Sequence, residues 1–169
     1  MLVLSADHLY VLNFLDVLDT HTHLKADLTM VTTEIFEDAS RFSVVETEDQ
    51  LVTGFEYKPD EPKTQTVGCE IFIFDAKLLV EALRELKPAG LEDYGDDLLP
   101  YFVENHRVAQ HKHDGYWVDV GTPQAYWTAH MHILEGNGVR LDDDEWPIWS
   151  AQPQLRPAKV TKEASIDAD

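Results

Sequence analysis

Tyr116-Trp117-Val118-Asp119-Val120-Gly121-Thr122-Pro123 is the stretch on which the fold turns. Tyr116 to Val120 is aromatic and β-branched and reads as a strand, with the Asp119 carboxylate near its end. Gly121 allows a tight turn. Thr122 is a good helix N-cap and Pro123 suits the first helical position, so a helix is predicted to start there. Its apolar face would carry Tyr126, Trp127, Met131 and Leu134, and Gly136-Asn137-Gly138 would end it. In open α/β sheets ligands bind at the carboxyl ends of strands. The helix N-terminus offers free amides and partial positive charge, which favour phosphate. An ordinary strand-to-helix joint would carry the same residues.

Working outward, the rest of the chain alternates strands and helices. Leu2 to Ser5 reads as a short buried strand that ends at Asp7, a second acid at a strand end; Asp7 could equally cap the next turn. Asn13 can cap a helix with Phe14, Leu15, Leu18 and His21 on one face. Strands are predicted over Ala26–Thr33, Phe42–Glu46, Leu51–Tyr57, Val67–Phe74 and Arg107–His113. Asp75 caps a helix carrying Leu79, Leu83 and Leu86, and Asp96 to Asn105 is a further helix. This alternation indicates an α/β layered fold with a mixed sheet and flanking helices. Asp7 and Asp119 together suit Mg²⁺, which is commonly held by one or two carboxylates plus substrate phosphates and waters.

Composition narrows the function classes. The chain has 169 residues, 44% hydrophobic and 27% charged, with a net charge of −19. That balance suits a soluble globular domain. So negative a surface repels phosphate backbones and anionic lipid heads, so neither nucleic acid nor a membrane is an expected partner. An anionic substrate would need a local cation to draw it in. One cysteine, Cys69, permits no internal disulfide and fits a cytoplasmic location. The apolar start lacks a basic leader, so no signal peptide is expected.

Thr20-His21-Thr22-His23 has the His-x-His spacing of metal-dependent amidohydrolases. There it sits on a strand, where alternate residues point the same way. Here it ends a helical pattern, where residues two apart diverge, so helix-end histidines are the expected reading. His106, His111 and His113 read as a polar strand without an evident third ligand.

An ordered set of segments resembles the sugar-1-phosphate nucleotidyltransferases, most closely the bacterial glucose-1-phosphate adenylyltransferase family. Ser5-Ala6-Asp7-His8-Leu9-Tyr10 is similar to that family's Gly-Asp-His-Ile-Tyr, and the Tyr116–Thr122 run to its Tyr-Trp-Arg-Asp-Val-Gly-Thr. Between them Phe55-Glu56-Tyr57-Lys58-Pro59, Ile71-Phe72-Ile73-Phe74-Asp75 and Tyr94-Gly95-Asp96-Asp97-Leu98-Leu99-Pro100 occur in the family's order. The resemblance implies the C-terminal part of a Rossmann-like, GT-A-like nucleotidyltransferase domain over residues 1–139. Residues 140–169 would be a linker toward a C-terminal left-handed β-helix, absent here. It implies transfer of a nucleotidyl group from a nucleoside triphosphate, ATP first, to a sugar 1-phosphate, glucose 1-phosphate first, as in glycogen synthesis. Asp7 and Asp119 would be the catalytic, Mg²⁺-binding pair. Lys58, Trp117 and Gly121 would be substrate-binding, and the intact protein a homo-oligomer.

The departures matter as much. Tyr57 stands where the family has glutamate, Gly68-Cys69-Glu70 where it has Ser-Met-Gly, and Val118 where it has arginine. The first two lie at the sugar, which leaves sugar identity open, and guanylyl or uridylyl transfer stays open too. The family's glycine-rich Gly-Gly-x-Gly-x-Arg-Leu loop does not occur. An N-terminally truncated chain is therefore expected, with little activity alone and with exposed sheet edges that favour association. The alternative is a non-catalytic sugar-phosphate-binding or regulatory subunit that pairs with a complete homologue.

Overall fold

The computed structural model describes residues 1–141, 143, 146 and 147, apart from Glu37 and Leu91. Met1–Val139 forms one compact unit and Arg140–Asp169 a second. The expected linker over 140–169 falls almost wholly outside the described residues.

Among the described residues of Met1–Val139 there are eight strands and four α-helices, all but the second strand in the predicted order. They are β1 Leu2–Leu4, β2 His8–Tyr10, α1 Phe14–His23, β3 Leu28–Glu34, β4 Ser43–Glu48 and β5 Leu51–Tyr57. Then come β6 Thr66–Phe74, α2 Ala76–Leu86, α3 Leu99–Asn105, β7 Val108–Lys112, β8 Trp117–Asp119 and α4 Pro123–Leu134. Six strands make a mixed sheet in the order β1-β6-β3-β7-β5-β4, and β2 and β8 form a separate two-stranded ribbon. The β3–β7 pairing is parallel. β6 runs antiparallel to β1 and β3, and also pairs antiparallel with β4 at Val44 and Val67.

Strand alternation sends side chains to opposite faces of this sheet. From β6, Phe72 and Phe74 join Leu28, Met30, Leu79 and Phe102 in a core under α2 and α3. Cys69, Ile71 and Ile73 point the other way and pack with Val17 of α1, Val31 and Leu12. Helices therefore cover both faces, which explains why β3 and β6 are buried nearly throughout. Among the described residues no helix is long and apolar enough to cross a membrane.

Three local expectations need correction. The strand at Leu2–Leu4 is not buried: it is the sheet's edge, with Leu2 and Leu4 exposed and Val3 alone packed on the core. On α1 the buried residue is Val17, while Leu15 and Leu18 are exposed. The inward stripe continues through Thr20, bonded to His111, and His21, bonded to Thr29. On α4 only Ala129 is buried, and Tyr126, Trp127 and Leu134 face outward. A small residue lets that helix approach closely, and its large ones are left outside.

Candidate functional site

The site is built where the β2–β8 ribbon leaves the sheet. The Ser5 amide donates to the Glu70 carbonyl at 3.0 Å, the last bond before the chain departs from β6. Residues 8–10 then pair antiparallel with 117–119, His8 opposite Asp119. Val120 N–H donates to the Asp7 carbonyl at 2.9 Å and extends the ladder by one bond. Pairing across this ribbon brings the two acids together.

The two carboxylates meet over Gly121. A Cβ placed on Gly121 would lie 2.9 Å from Asp119 Oδ1 and 3.4 Å from Asp7 Oδ2. The absent side chain leaves room beside both. Asp119 Oδ1 accepts the Gly121 N–H at 2.7 Å, so it also shapes the turn into α4. Asp7 Oδ1 accepts the Ser5 hydroxyl at 2.5 Å. That hydrogen bond foremost, with the Lys58 charge, holds the Asp7 carboxyl below its ordinary pKa. Thr122 caps α4 as its residue type predicts, its hydroxyl accepting the Ala125 amide at 3.1 Å.

Lys58 sits at the end of β5 with φ +46°. Its amine lies 4.7 Å from the centre of the Tyr57 ring. The Tyr57 ring in turn packs on Gly95, where a Cβ would come within 2.6 Å of it. The Tyr57 hydroxyl, with the charges of Glu70 and Asp93, raises the Lys58 pKa, so the side chain is a cation at neutral pH. Lys58 and Asp7 therefore belong to one electrostatic neighbourhood.

Trp117 is placed differently from the other candidates. Its ring packs edge-on to His8 at 5.2 Å and against Phe42 at 5.6 Å. Its buried indole N–H has no hydrogen-bond partner among the described residues. With Arg41, Phe42, Asp119 and Thr122 it lines a cavity of about 400 Å³. The histidines weighed as rivals do not converge: His21 bonds Thr29, His111 bonds Thr20 and His113 bonds the Tyr116 carbonyl.

Two residues at the site were not singled out by sequence reasoning. Asp7, His8 and Glu70 each present one ligand atom, all within 4.8 Å of one another. His8 follows Asp7 directly, and Glu70 was visible only as a departure from a glycine. Glu70 adopts φ +53°, a region that glycine enters freely and other residues occupy under strain. Tyr94 stands against it. Burial foremost, and then the Glu70 carboxylate, push the Tyr94 hydroxyl well above its usual pKa.

Residues 1–136 match the nucleotidyl transferase family. Among curated proteins, the chain is 36% identical to a glucose-1-phosphate adenylyltransferase of Lachnospira eligens, over 99% of this chain and 40% of that protein. It is 35% identical to the one of Thermomicrobium roseum, over 98% of this chain and 40% of the relative. For that of Geobacillus stearothermophilus the identity is 36%, over 98% and 44%. The chain thus spans less than half the length of these relatives.

Proposed function

Since this chain belongs to the nucleotidyl transferase family, we propose that it serves transfer of a nucleotidyl group from a nucleoside triphosphate, ATP first, to glucose 1-phosphate, giving an NDP-sugar and pyrophosphate. The observation that carries the reading is that the carboxylates of Asp7 and Asp119 both lie beside Gly121. The glucose-1-phosphate adenylyltransferases to which the chain is similar supply the choice of nucleotide and sugar.

Two carboxylates beside a space that any side chain at position 121 would fill suit a hard, oxygen-seeking cation. Asp7 and Asp119 would hold Mg²⁺. When bound, that ion neutralises charge on the nucleotide phosphates and on the departing pyrophosphate. The remaining work falls to the chain's own side chains. Lys58, tethered over Tyr57, would hold the sugar phosphate as a point charge. The positive end of α4 lies just beyond Gly121 and adds partial charge of the same sign. The attacking oxygen of a sugar phosphate is already anionic, so no general base is needed, and alignment and charge neutralisation supply the rate. The intact protein is proposed to be a homo-oligomer in the cytoplasm.

The test is a calorimetric titration of glucose 1-phosphate into the 169-residue chain with Mg²⁺ present. Saturable binding is expected, about tenfold weaker in Lys58→Ala and independent of Mg²⁺ in Asp119→Asn. Absence of binding, or binding that neither substitution alters, overturns the reading.

A further inference from the structure

We propose that Asp7, His8 and Glu70 form a site for a divalent transition-metal ion of the Mn²⁺, Co²⁺ or Zn²⁺ class, distinct in its ligands from the Asp7–Asp119 pair. The inference shares Asp7 with the function proposed above but depends on neither Asp119 nor nucleotidyl transfer.

His8 carries the argument. Its side chain is only 5% exposed. Its Nδ1 lies 2.9 Å from the Cys69 carbonyl oxygen. A carbonyl can only accept, so Nδ1 bears the hydrogen, and in the neutral ring Nε2 is left with a free lone pair. That lone pair faces two carboxylates, Asp7 Oδ1 at 3.8 Å and Glu70 Oε2 at 4.0 Å. Both distances are too long for a hydrogen bond. They are a few tenths of an ångström longer than the roughly 3–3.6 Å between neighbouring ligands that each lie about 2.0–2.2 Å from one metal, so small side-chain movements would close them on an ion. A ligating histidine whose other nitrogen donates to a backbone carbonyl is the usual arrangement at a metal, since that bond fixes the ring's tautomer and direction.

The surroundings hold each ligand in place. The Trp117 edge meets the His8 ring at 5.2 Å, with the planes 88° apart. Ser5 donates to Asp7 Oδ1. Tyr94 lies against Glu70 beside a small cavity of about 150 Å³ that both line with Ser5. Glu70 keeps its positive φ although non-glycine residues are strained there, as happens where the surroundings demand a side chain at that place. It also stands where the resembled family has glycine.

The ligand set decides the class of ion. Imidazole nitrogen with two carboxylates favours borderline first-row metals, whereas Mg²⁺ prefers oxygen alone. The Asp7 carboxylate is divided between the two sites, Oδ1 toward His8 and Oδ2 toward Gly121 and Asp119.

The experiment is a titration of the chelator-treated full chain with Mn²⁺, followed by electron paramagnetic resonance, and with Zn²⁺ by calorimetry, both in excess Mg²⁺. One ion per chain is expected. Binding should weaken at least about tenfold in Glu70→Gln and in His8→Gln, and stay within about twofold in Asp119→Asn. Glu70→Gln alone decides the matter if His8→Gln does not fold, because Glu70 is partly exposed and keeps its size. Absence of saturable binding overturns the proposal. So does binding, for instance to other histidines, that Glu70→Gln leaves unchanged. Loss of the Mg²⁺ dependence of sugar-phosphate binding in Asp119→Asn, with transition-metal binding intact, separates this site from the one proposed for Mg²⁺.

Discussion

Asp7 Oδ2 and Asp119 Oδ1 lie 3.4 and 2.9 Å from the point where a Cβ of Gly121 would stand, so a side chain there would be in ordinary contact with Asp7 and in conflict with Asp119. The ribbon bonds that set this spacing are backbone bonds, and the 121 side chain is the variable that tunes it. Gly121→Ala should leave the chain folded. The methyl must push Asp119 from its place, because 2.9 Å is closer than a Cβ is normally found to an oxygen. Mg²⁺ affinity is expected to fall about tenfold, or about 1.4 kcal/mol. Direct calorimetric titration with Mg²⁺ measures it, and unchanged affinity would show that the two acids do not act on one ion.

Asp119 has two tasks, and one substitution separates them. Its Oδ1 accepts the Gly121 amide at 2.7 Å, a bond that an asparagine oxygen can also make. Asp119→Asn therefore removes the charge and keeps the turn. Thermal stability is expected to change by less than about 0.5 kcal/mol, while Mg²⁺-dependent binding of glucose 1-phosphate is lost. A large fall in the unfolding midpoint would instead make Asp119 chiefly a structural residue.

The strand and helix order could be read from the chain because its punctuation is local. Asn13, Asp75 and Thr122 cap helices through bonds to amides two or three residues on, and residue type alone announces them. Burial faces were less legible. Val17 and Ala129 turn inward because of what lies opposite them, information that helical periodicity does not contain. Asp7 and Asp119 could be paired in advance through the resemblance, and each lies at the end of a recognisable strand. Glu70 could not. Its place beside His8 depends on β6 crossing under the ribbon and on a positive φ, which a single glutamate in a strand-like run does not signal.

The start of α4 invites a stability measurement close to the site. The Thr122 hydroxyl accepts the Ala125 amide at 3.1 Å, and Pro123 follows without an amide of its own. Thr122→Ala leaves that donor to water and should cost about 1 kcal/mol. For a chain of this size the unfolding midpoint is expected to fall by about 2–4 °C. Thr122→Ser, which restores the oxygen, should recover most of it; failure to do so would mean that the methyl group, and not the cap, was the source.

Acid should weaken the fold in a window set by two histidines beneath the sheet. Burial, and then the Met1 amine, lower the His21 pKa from 6.5, with Asp75 and Asp27 opposing. Burial, and then His113, lower that of His111 from the same value, with Asp16 opposing. In each case the folded state favours the neutral ring more than the unfolded chain does. Below pH 6.5 the unfolded state therefore takes up protons first, and stability falls with falling pH until the folded-state pKa values are passed. Above 6.5 both rings are mostly neutral in either state and their contribution is flat. Urea unfolding midpoints between roughly pH 7.5 and 5.5 should decline, and the double variant His21→Gln, His111→Gln should decline less steeply. Parallel slopes for the two proteins would assign the acid sensitivity to other groups. The same substitutions should leave Mn²⁺ binding at His8 unaltered, since Thr29 and Thr20, and not Asp7 or Glu70, are their partners.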